Sequence, residues 1–232
     1  MNDPINTPQP SPGRDSELSP AEALRDRLTQ GGALFWVLVA TTLVWMIDVT
    51  LFRHITGHHV VANTFNPLLH GLEKVSTIVF VVVTIGLAQA LFRSRKSSVF
   101  RWALIYLLFS MVQVVANVLS MVATASSVKG GGLTGLWDVA ALYMQSVTVF
   151  MFIYIFLDVC TPGGAFVWPS RDGEPAPTPH VIDYLFIALN VNSTYGPTSE
   201  TVMSRPAKLF MALQVLLAIL MLTVLIARAV SA

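Results

Sequence analysis

Charged residues and cysteine are scarce in this 232-residue sequence. Asp, Glu, Lys and Arg together make up 12% of the chain, against about 25% in soluble domains, while hydrophobic residues make up 54%. The single cysteine, Cys160, excludes a disulfide within the chain and has no second cysteine with which to hold a metal. The net charge of +1 gives no indication of nucleic-acid binding. This composition predicts a membrane protein.

The sequence also lacks the short motifs that mark common enzyme classes. It contains no serine nucleophile elbow, no glycine-rich phosphate-binding loop and no zinc-protease helix. Four histidines fall within residues 54–70, but they do not have the short, fixed spacing of zinc ligands. We therefore expect no catalytic activity, no metal site and no cofactor.

Long apolar segments are the main feature that the sequence does have. Five of them are long enough for a helix to cross a bilayer core of about 30 Å, because a helix rises about 1.5 Å per residue. They cover residues 33–52, 75–92, 102–124, 136–159 and 207–230. The expected fold is an all-α membrane protein, a bundle of about five transmembrane helices surrounded by the lipid bilayer.

The composition divides the chain into four parts. Residues 1–30 form a polar, proline-rich tail that is predicted to be disordered, although Ser19 favours a short helix near its end. Residues 31–160 hold four of the predicted spans, and residues 161–181 form a loop rich in proline and glycine. Residues 182–232 hold a short apolar helix, which is expected to be re-entrant or interfacial, and the last span.

Lysine and arginine are unevenly distributed between the two sides of the predicted bundle. The tight basic loop at residues 93–101 favours the cytoplasm, where these residues are retained. With the N-terminus inside, ten of the fourteen basic residues are cytoplasmic. We therefore predict a multi-pass protein of the bacterial plasma membrane with a cytoplasmic N-terminus. The same topology places the 161–206 connection on the cytoplasmic side.

Three polar side chains inside the predicted spans are candidates for function. Gln113 and Asn117 lie four residues apart and so share one face of the third span. They either hydrogen-bond to neighbouring helices or line a polar path. Asp48 lies near the end of the first span. An intramembrane carboxylate is a functional candidate, but at this position Asp48 can also reach water or pair with Arg53.

The segment before the last span has the outline of a channel pore. An apolar helix is predicted from Asp183, which would start it, to residue 191, and a Tyr-Gly turn follows. This order resembles the pore helix and filter of potassium channels, in which rings of backbone carbonyls replace the water shell of the ion. The resemblance implies that an ion path would be lined by Asn192, Ser193, Thr194, Tyr195 and Gly196.

The segment departs from the potassium-channel pattern at three positions. Asn192 occupies the place of the filter threonine, Thr194 that of the first glycine, and Pro197 that of the aspartate. Left-handed dihedrals are costly for a β-branched residue, so Thr194 disfavours a potassium-selective carbonyl ladder. The charge distribution also places the segment on the cytoplasmic side, whereas potassium-channel pore loops lie on the outside.

Several short motifs are similar to those of a group of uncharacterised bacterial integral membrane proteins of actinobacterial type, which have a degenerate channel-like end. These motifs are Phe156-Leu157-Asp158, Asp183-Tyr184-Leu185, Pro197-Thr198 and Ser204-Arg205-Pro206-Ala207-Lys208. The group implies no established activity. Two functions therefore stay open: a homo-oligomer that conducts cations, and a non-conducting accessory protein that binds another membrane protein.

Overall fold

The computed structural model describes residues 19–29, 39–47, 49–50, 71, 74–75, 78–86, 89, 96–124, 132–170, 176–193 and 201–231. Of the candidate residues from the sequence, Asp48, Thr194, Tyr195 and Gly196 lie outside this described part. The four histidines of residues 54–70 also lie outside it.

The described part of the chain is mostly helical, with one pair of short strands. Its elements are α1 (Pro20–Thr29), α2 (Lys96–Thr124), α3 (Gly132–Cys160), β1 (Phe166–Val167), α4 (Val181–Asn192), β2 (Thr201–Val202) and α5 (Arg205–Ser231). Residues 39–47 and 78–86 are helical as well, and they fall within the first two predicted spans.

Three of the described helices are long and apolar enough to cross a membrane. The spans are Trp102–Val122 in α2, Trp137–Cys160 in α3 and Arg205–Ala227 in α5. They coincide with the third, fourth and fifth segments predicted from the sequence. Helix α3 is central, since 67% of its apolar window is buried against 33% in α5. The protein is thus predominantly helical, with three candidate membrane-spanning helices.

The helical residues of the first two predicted spans pack against the start of α2. The rings of Trp45 and Phe80 stack with their centroids 4.5 Å apart, and Phe80 meets Tyr106 edge-on at 6.0 Å. Gly86 lies under the indole of Trp102, where an added Cβ would come within 2.5 Å of the ring. Only a residue without a side chain allows this close approach, so Gly86 sets the spacing of the two helices.

One end of the bundle is closed by the strand pair. Helix α3 ends at Cys160, and the chain turns through two glycines with positive φ into β1. Strand β1 pairs antiparallel with β2, with Phe166 opposite Val202. The N–H groups of Met203 and Ser204 then donate to the carbonyl of Ala165 at 3.0 and 3.3 Å. We call this end of the bundle the strand end.

Helix α1 also lies at the strand end. Its first turn is held by reciprocal bonds, as the Ser19 N–H donates to Oε2 of Glu22 at 2.9 Å and the Glu22 N–H donates to Oγ of Ser19 at 3.3 Å. Ala21 and Leu24 are buried, and the Cβ of Ala21 lies beside Gly164. The short helix that Ser19 predicted near the end of the polar tail is thus confirmed, and its buried side chains pack on the bundle.

Candidate functional site: the buried face of the short helix

Helix α4 runs antiparallel to α3 and extends from the C-terminal end of α3 to about its midpoint. Tyr184 in the first turn contacts Asp158, and Asn192 in the last turn contacts Ser146, twelve residues earlier in α3. Twelve helical residues span about 18 Å. The chain is back at the strand end by Thr201, which pairs with Val167. The segment thus enters the bundle and leaves it at the same end.

Asp158 is the polar centre of the strand end. Its side chain is fully buried at the C-terminal end of α3. Oδ1 accepts from the N–H groups of Ala165 and Phe166 at 2.6 and 3.1 Å, and Oδ2 accepts from Nε1 of Trp168 at 3.2 Å and from the hydroxyl of Tyr184 at 2.5 Å. A carboxylate has about four acceptor sites, and four donors fill them here. Asp158 is therefore suited to hold the fold together rather than to act as a base.

The turn after α3 brings its backbone directly onto this carboxylate. Gly164 has a φ of +91°, and a Cβ at this position would lie 3.0 Å from Oδ1 of Asp158 and 3.3 Å from the carbonyl oxygen of Phe166. Both the left-handed backbone and the lack of space require glycine. The preceding Gly163 has a φ of +76° but open space around it.

Tyr184 keeps its proton in this environment. Burial raises the pKa of its hydroxyl above the usual value of 10, and the nearby Asp158 carboxylate raises it further. The ring also packs edge-on against Phe166 and Trp168, with centroids 6.1 and 5.3 Å away. Tyr184 therefore remains a hydrogen-bond donor that ties the start of α4 to the end of α3. The N-terminus of α4 is itself capped by Asp183, whose Oδ2 accepts from the His180 N–H at 2.6 Å.

A second polar cluster lies deeper in the bundle and is centred on Gln214 of α5. The hydroxyl of Tyr154 donates to its Oε1 at 2.5 Å, and its Nε2 donates to the carbonyl of Ala188 at 2.9 Å and to Oδ1 of Asn192 at 3.4 Å. Oδ1 of Asn192 also accepts from Oγ of Ser146 at 3.4 Å. This cluster joins α3, α4 and α5 at the half-depth of α3.

The C-terminal end of α4 is closed by Ser193. Its N–H donates to the carbonyl of Leu189 at 2.9 Å. Its hydroxyl donates to the same carbonyl at 2.9 Å and to that of Asn190 at 3.1 Å. With the bond from Gln214 to Ala188, three consecutive carbonyls in the last turns of this helix accept hydrogen bonds from within the chain.

The two amides predicted to share a face of the third span both point into the bundle. Gln113 and Asn117 are buried, and they continue a stripe with Ser110 and Ser120 at spacings of three and four residues. Nδ2 of Asn117 donates to Oε1 of Gln145 in α3 at 3.5 Å. Asn117 thus makes the contact with a neighbouring helix that was one of its two expected roles.

The structure brings together only part of the predicted set of site residues. Asn192 and Ser193 lie side by side at the inner end of α4, and Asp183 lies at its outer end. Asn117 contacts Gln145 of α3 from α2, and Gln113 is buried in the bundle one turn away in the same helix. Within the described residues, no group of three or more His, Cys, Asp or Glu side chains is placed to hold a metal ion.

Sequence reasoning missed Gln214, Tyr154 and the role of Asp158. One signal for Gln214 was present, since it is the only amide side chain in the last predicted span, and a polar group in lipid needs a partner. Asp158 lies two residues before the end of α3, where the sequence alone does not distinguish it from any charge at a helix end. No sequence pattern could show that four donors from residues 165, 166, 168 and 184 converge on it.

Comparison with known proteins gives no relative. No family model matches the chain, and neither the curated proteins nor the solved structures contain a match. The similarity to channel-like bacterial membrane proteins therefore stays a prediction from the motifs.

Proposed function

We propose that this chain is a multi-pass membrane protein whose short helix α4 forms a closed, non-conducting module, and that the protein serves as an accessory that binds another membrane protein. The observation that supports this proposal is the closure of the inner end of α4. The carbonyls of Ala188, Leu189 and Asn190 accept hydrogen bonds from Gln214 and Ser193.

The engagement of these carbonyls bears on conduction, because an ion path built from backbone needs carbonyls that are free to replace the water around the ion. The carbonyls of Ala188, Leu189 and Asn190 belong to the turn just before the filter-like residues, and because side chains of the same chain occupy them, this end of α4 does not present free carbonyls to an ion. The face of α4 that carries Ile187, Ala188 and Val191 is also buried in its own bundle. In a pore, several copies of the segment would have to share that space around an axis.

Helix α5 offers the surface for a partner. It is the least buried of the three candidate spans, and its outward face carries large apolar side chains along its whole length. Those on the described part include Leu209, Leu216, Ile219, Leu222 and Ile226. Such a face suits lipid, a second copy of this chain or a helix of another membrane protein.

The proposed orientation has the strand end in the cytoplasm. The described basic residues are concentrated there, because α1, the start of α2 and the start of α5 all lie at this end. They are Arg25, Arg27, Lys96, Arg101, Arg205 and Lys208, against Lys74 and Arg228 towards the other end. Since Lys and Arg are retained on the cytoplasmic side, this distribution supports a cytoplasmic N-terminus. The bacterial plasma membrane is part of the proposal as the sequence composition predicted it.

Cation conduction by an oligomer is the second candidate function. The path of the chain favours it, since α4 enters to half-depth and the chain returns to the strand end, as a pore loop does. In that case Asn192 and Ser193, with Thr194, Tyr195 and Gly196, would lie on the ion path. No catalytic activity is part of either proposal.

Planar-bilayer recording of the purified full-length protein separates the two candidates. The oligomeric state is first measured by light scattering, and a potassium channel in the same lipid serves as the positive control. We expect no current under potassium or sodium gradients. A cation-selective current from an oligomeric sample that is lost in Asn192→Leu but kept in Asn190→Leu would establish conduction instead.

A further inference from the structure

Helix α1 borders an apolar cavity of about 110 Å³ at the strand end. The residues that line it include Leu24 and Leu28 of α1, which we call the α1 stripe, and Ala40, Val44, Phe152 and Phe156. Two of these lie four residues apart in the helical segment 39–47 and two lie four apart in α3, so the cavity follows both helices for about 6 Å. It is smaller than the apolar cavity of about 150 Å³ that binds benzene, and it therefore suits a thin, flexible hydrocarbon chain.

The lining of this cavity favours an apolar occupant over water. Among the described residues at its wall, only Thr41 and Tyr184 carry polar side-chain atoms, and the Tyr184 hydroxyl already donates to Asp158. A buried water needs two to four polar partners, and empty apolar space deprives the surrounding side chains of dispersion contacts. Val181 at the wall is 53% exposed, so the cavity opens beside the first turn of α4. A hydrocarbon chain from the bilayer can enter there.

Helix α1 carries its charges in a pattern that suits a lipid head group. At 3.6 residues per turn, Arg25 and Arg27 lie on the two flanks of the α1 stripe, each about 60° from its nearer leucine. Both arginines are exposed. The acidic residues Glu22 and Asp26 fall on the far side of the helix, away from the stripe. Helix α1 therefore presents positive charge beside the cavity, although its acidic and basic residues are equal in number.

An anionic phospholipid matches both the cavity and its charged flanks. The stem of an arginine can lie along apolar surface while its guanidinium stays at the level of the head groups. A guanidinium also binds a phosphate through two parallel hydrogen bonds. A zwitterionic head group carries a cation of its own, which offsets the attraction of its phosphate to the arginines. Charge complementarity thus selects a lipid with a net negative charge.

We propose that this cavity holds one acyl chain of an anionic phospholipid whose phosphate binds the guanidinium groups of Arg25 and Arg27. The chain packs between α1, the helical segment 39–47 and α3, against the α1 stripe and Phe152. Because α1 is held by the strand end, the lipid stabilises the docking of α1 on the bundle. The site is independent of whether the protein conducts ions and of its orientation in the membrane.

Native mass spectrometry of the full-length protein in detergent micelles tests the proposal. The protein is titrated with phosphatidylglycerol and with phosphatidylcholine that has the same two acyl chains. We expect one copy of phosphatidylglycerol to bind saturably, about tenfold to thirtyfold more tightly than phosphatidylcholine, as two arginines near a negative head group would provide. Glycerophosphoglycerol, which is the same head group without acyl chains, should not compete.

Two pairs of matched variants test the head-group site and the chain site separately. Arg25→Gln combined with Arg27→Gln should remove the preference for phosphatidylglycerol. Arg205→Gln combined with Lys208→Gln removes the same charge from the strand end away from the cavity, and it should leave the preference unchanged. Ala40→Phe fills the cavity and should abolish saturable binding of either lipid, whereas phenylalanine at the exposed neighbour Thr42 should not.

All variants are first shown by circular dichroism and gel filtration to be folded. Equal affinities of the wild-type protein for the two lipids would overturn the proposal. So would an equal loss of preference in the two charge variants, saturable binding that persists in Ala40→Phe, or competition by the head group alone.

Discussion

The hydroxyl of Tyr184 donates a 2.5 Å hydrogen bond to Oδ2 of Asp158, which lies 26 residues earlier in the chain. This bond joins the first turn of the short helix α4 to the last turn of the central helix α3. Both groups are fully buried, so neither can exchange its partner for water. The same carboxylate also holds the turn after α3, and it therefore sets the position at which α4 enters the bundle.

Tyr184→Phe should destabilise the protein by about 1.5–3 kcal/mol, the range for a hydrogen bond to a charged group. The substitution keeps the ring in place but leaves one acceptor site of buried Asp158 unfilled. Reversible unfolding by SDS in detergent micelles measures the change in free energy. Tyr143→Phe is the control, since the Tyr143 hydroxyl makes no hydrogen bond with the described residues, and it should change the stability by less than about 0.5 kcal/mol. Equal effects of the two substitutions would contradict the role given to Asp158.

The two glycines of the turn after α3 should differ in their tolerance of alanine. Gly163→Ala introduces only the cost of a left-handed backbone, about 1 kcal/mol, because the space around it is open. Gly164→Ala has a similar backbone cost, and it also places a Cβ 3.0 Å from Oδ1 of Asp158. It should therefore destabilise the protein by about 2–3 kcal/mol. The same SDS titration compares the two. A larger effect at Gly163 would show that the turn does not have this geometry.

Tyr154 and Gln214 should be energetically coupled. In a double-mutant cycle of Tyr154→Phe and Gln214→Leu, we expect a coupling free energy of about 0.5–1.7 kcal/mol, typical of hydrogen bonds between helices in membranes. Gln214→Leu alone should cost more than Tyr154→Phe alone, since it also removes the donor to Ala188 and Asn192. Additive effects would mean that the 2.5 Å contact contributes nothing to stability.

The start of helix α1 should respond to acid. The pKa of Glu22 is held below its usual value of 4.5, first by the backbone N–H of Ser19 and then by the Ser19 hydroxyl. A lowered pKa in the folded state means that this cap stabilises α1 above pH 4.5 and is lost as the pH falls through the pKa of the folded protein. A carbon-detected NMR titration of the Glu22 carboxyl measures the pKa. Ser19→Ala removes only the hydroxyl and should raise the pKa part of the way towards 4.5, whereas Ser19→Pro also removes the N–H and should raise it further. An unchanged pKa in Ser19→Pro would refute the cap.

Single cysteines at the two ends of the bundle should be labelled from opposite sides of the membrane. In a Cys160→Ser background, Met203→Cys lies at the strand end and Val230→Cys in the last turns of α5, and both side chains are exposed. A maleimide that cannot cross the membrane should reach position 203 only in inverted vesicles and position 230 only in spheroplasts. The reverse pattern would invert the proposed orientation, and labelling of both from one side would exclude α5 as a span.

The sequence was most informative about the parts of the fold that depend on local chemistry. Three of the five predicted spans coincide with long apolar helices, because the length and hydropathy of a span are properties of a continuous segment. The start of α1 was also predictable, since Ser19 and Pro20 act on their own turn. The short helix was predicted from Asp183, and it begins two residues earlier at Val181. Within the first two predicted spans, the structure describes residues 39–47 and 78–86 as helical.

The candidate site was only partly predictable. Asn192 was singled out by its position in a pore-like pattern, and the structure places it at the inner end of α4 beside a cavity. The pattern could not show that its oxygen is used by Gln214 and Ser146, because those partners lie 22 and 46 residues away in the chain. Which groups meet the amide of Asn192 depends on the packing of three helices, and no local sequence signal encodes it.

The sequence by itself determined that this chain is helical, where its apolar segments lie and that a short helix precedes the last of them, because a hydrophobic segment of a given length behaves in the same way in any fold. Only the tertiary structure decided which side chains of these helices contact one another. It places four donors on Asp158, engages the carbonyls at the end of α4 and directs two donors onto Oδ1 of Asn192. Hydrogen bonds are directional and short-ranged, so the roles of these groups follow from the docking of distant segments.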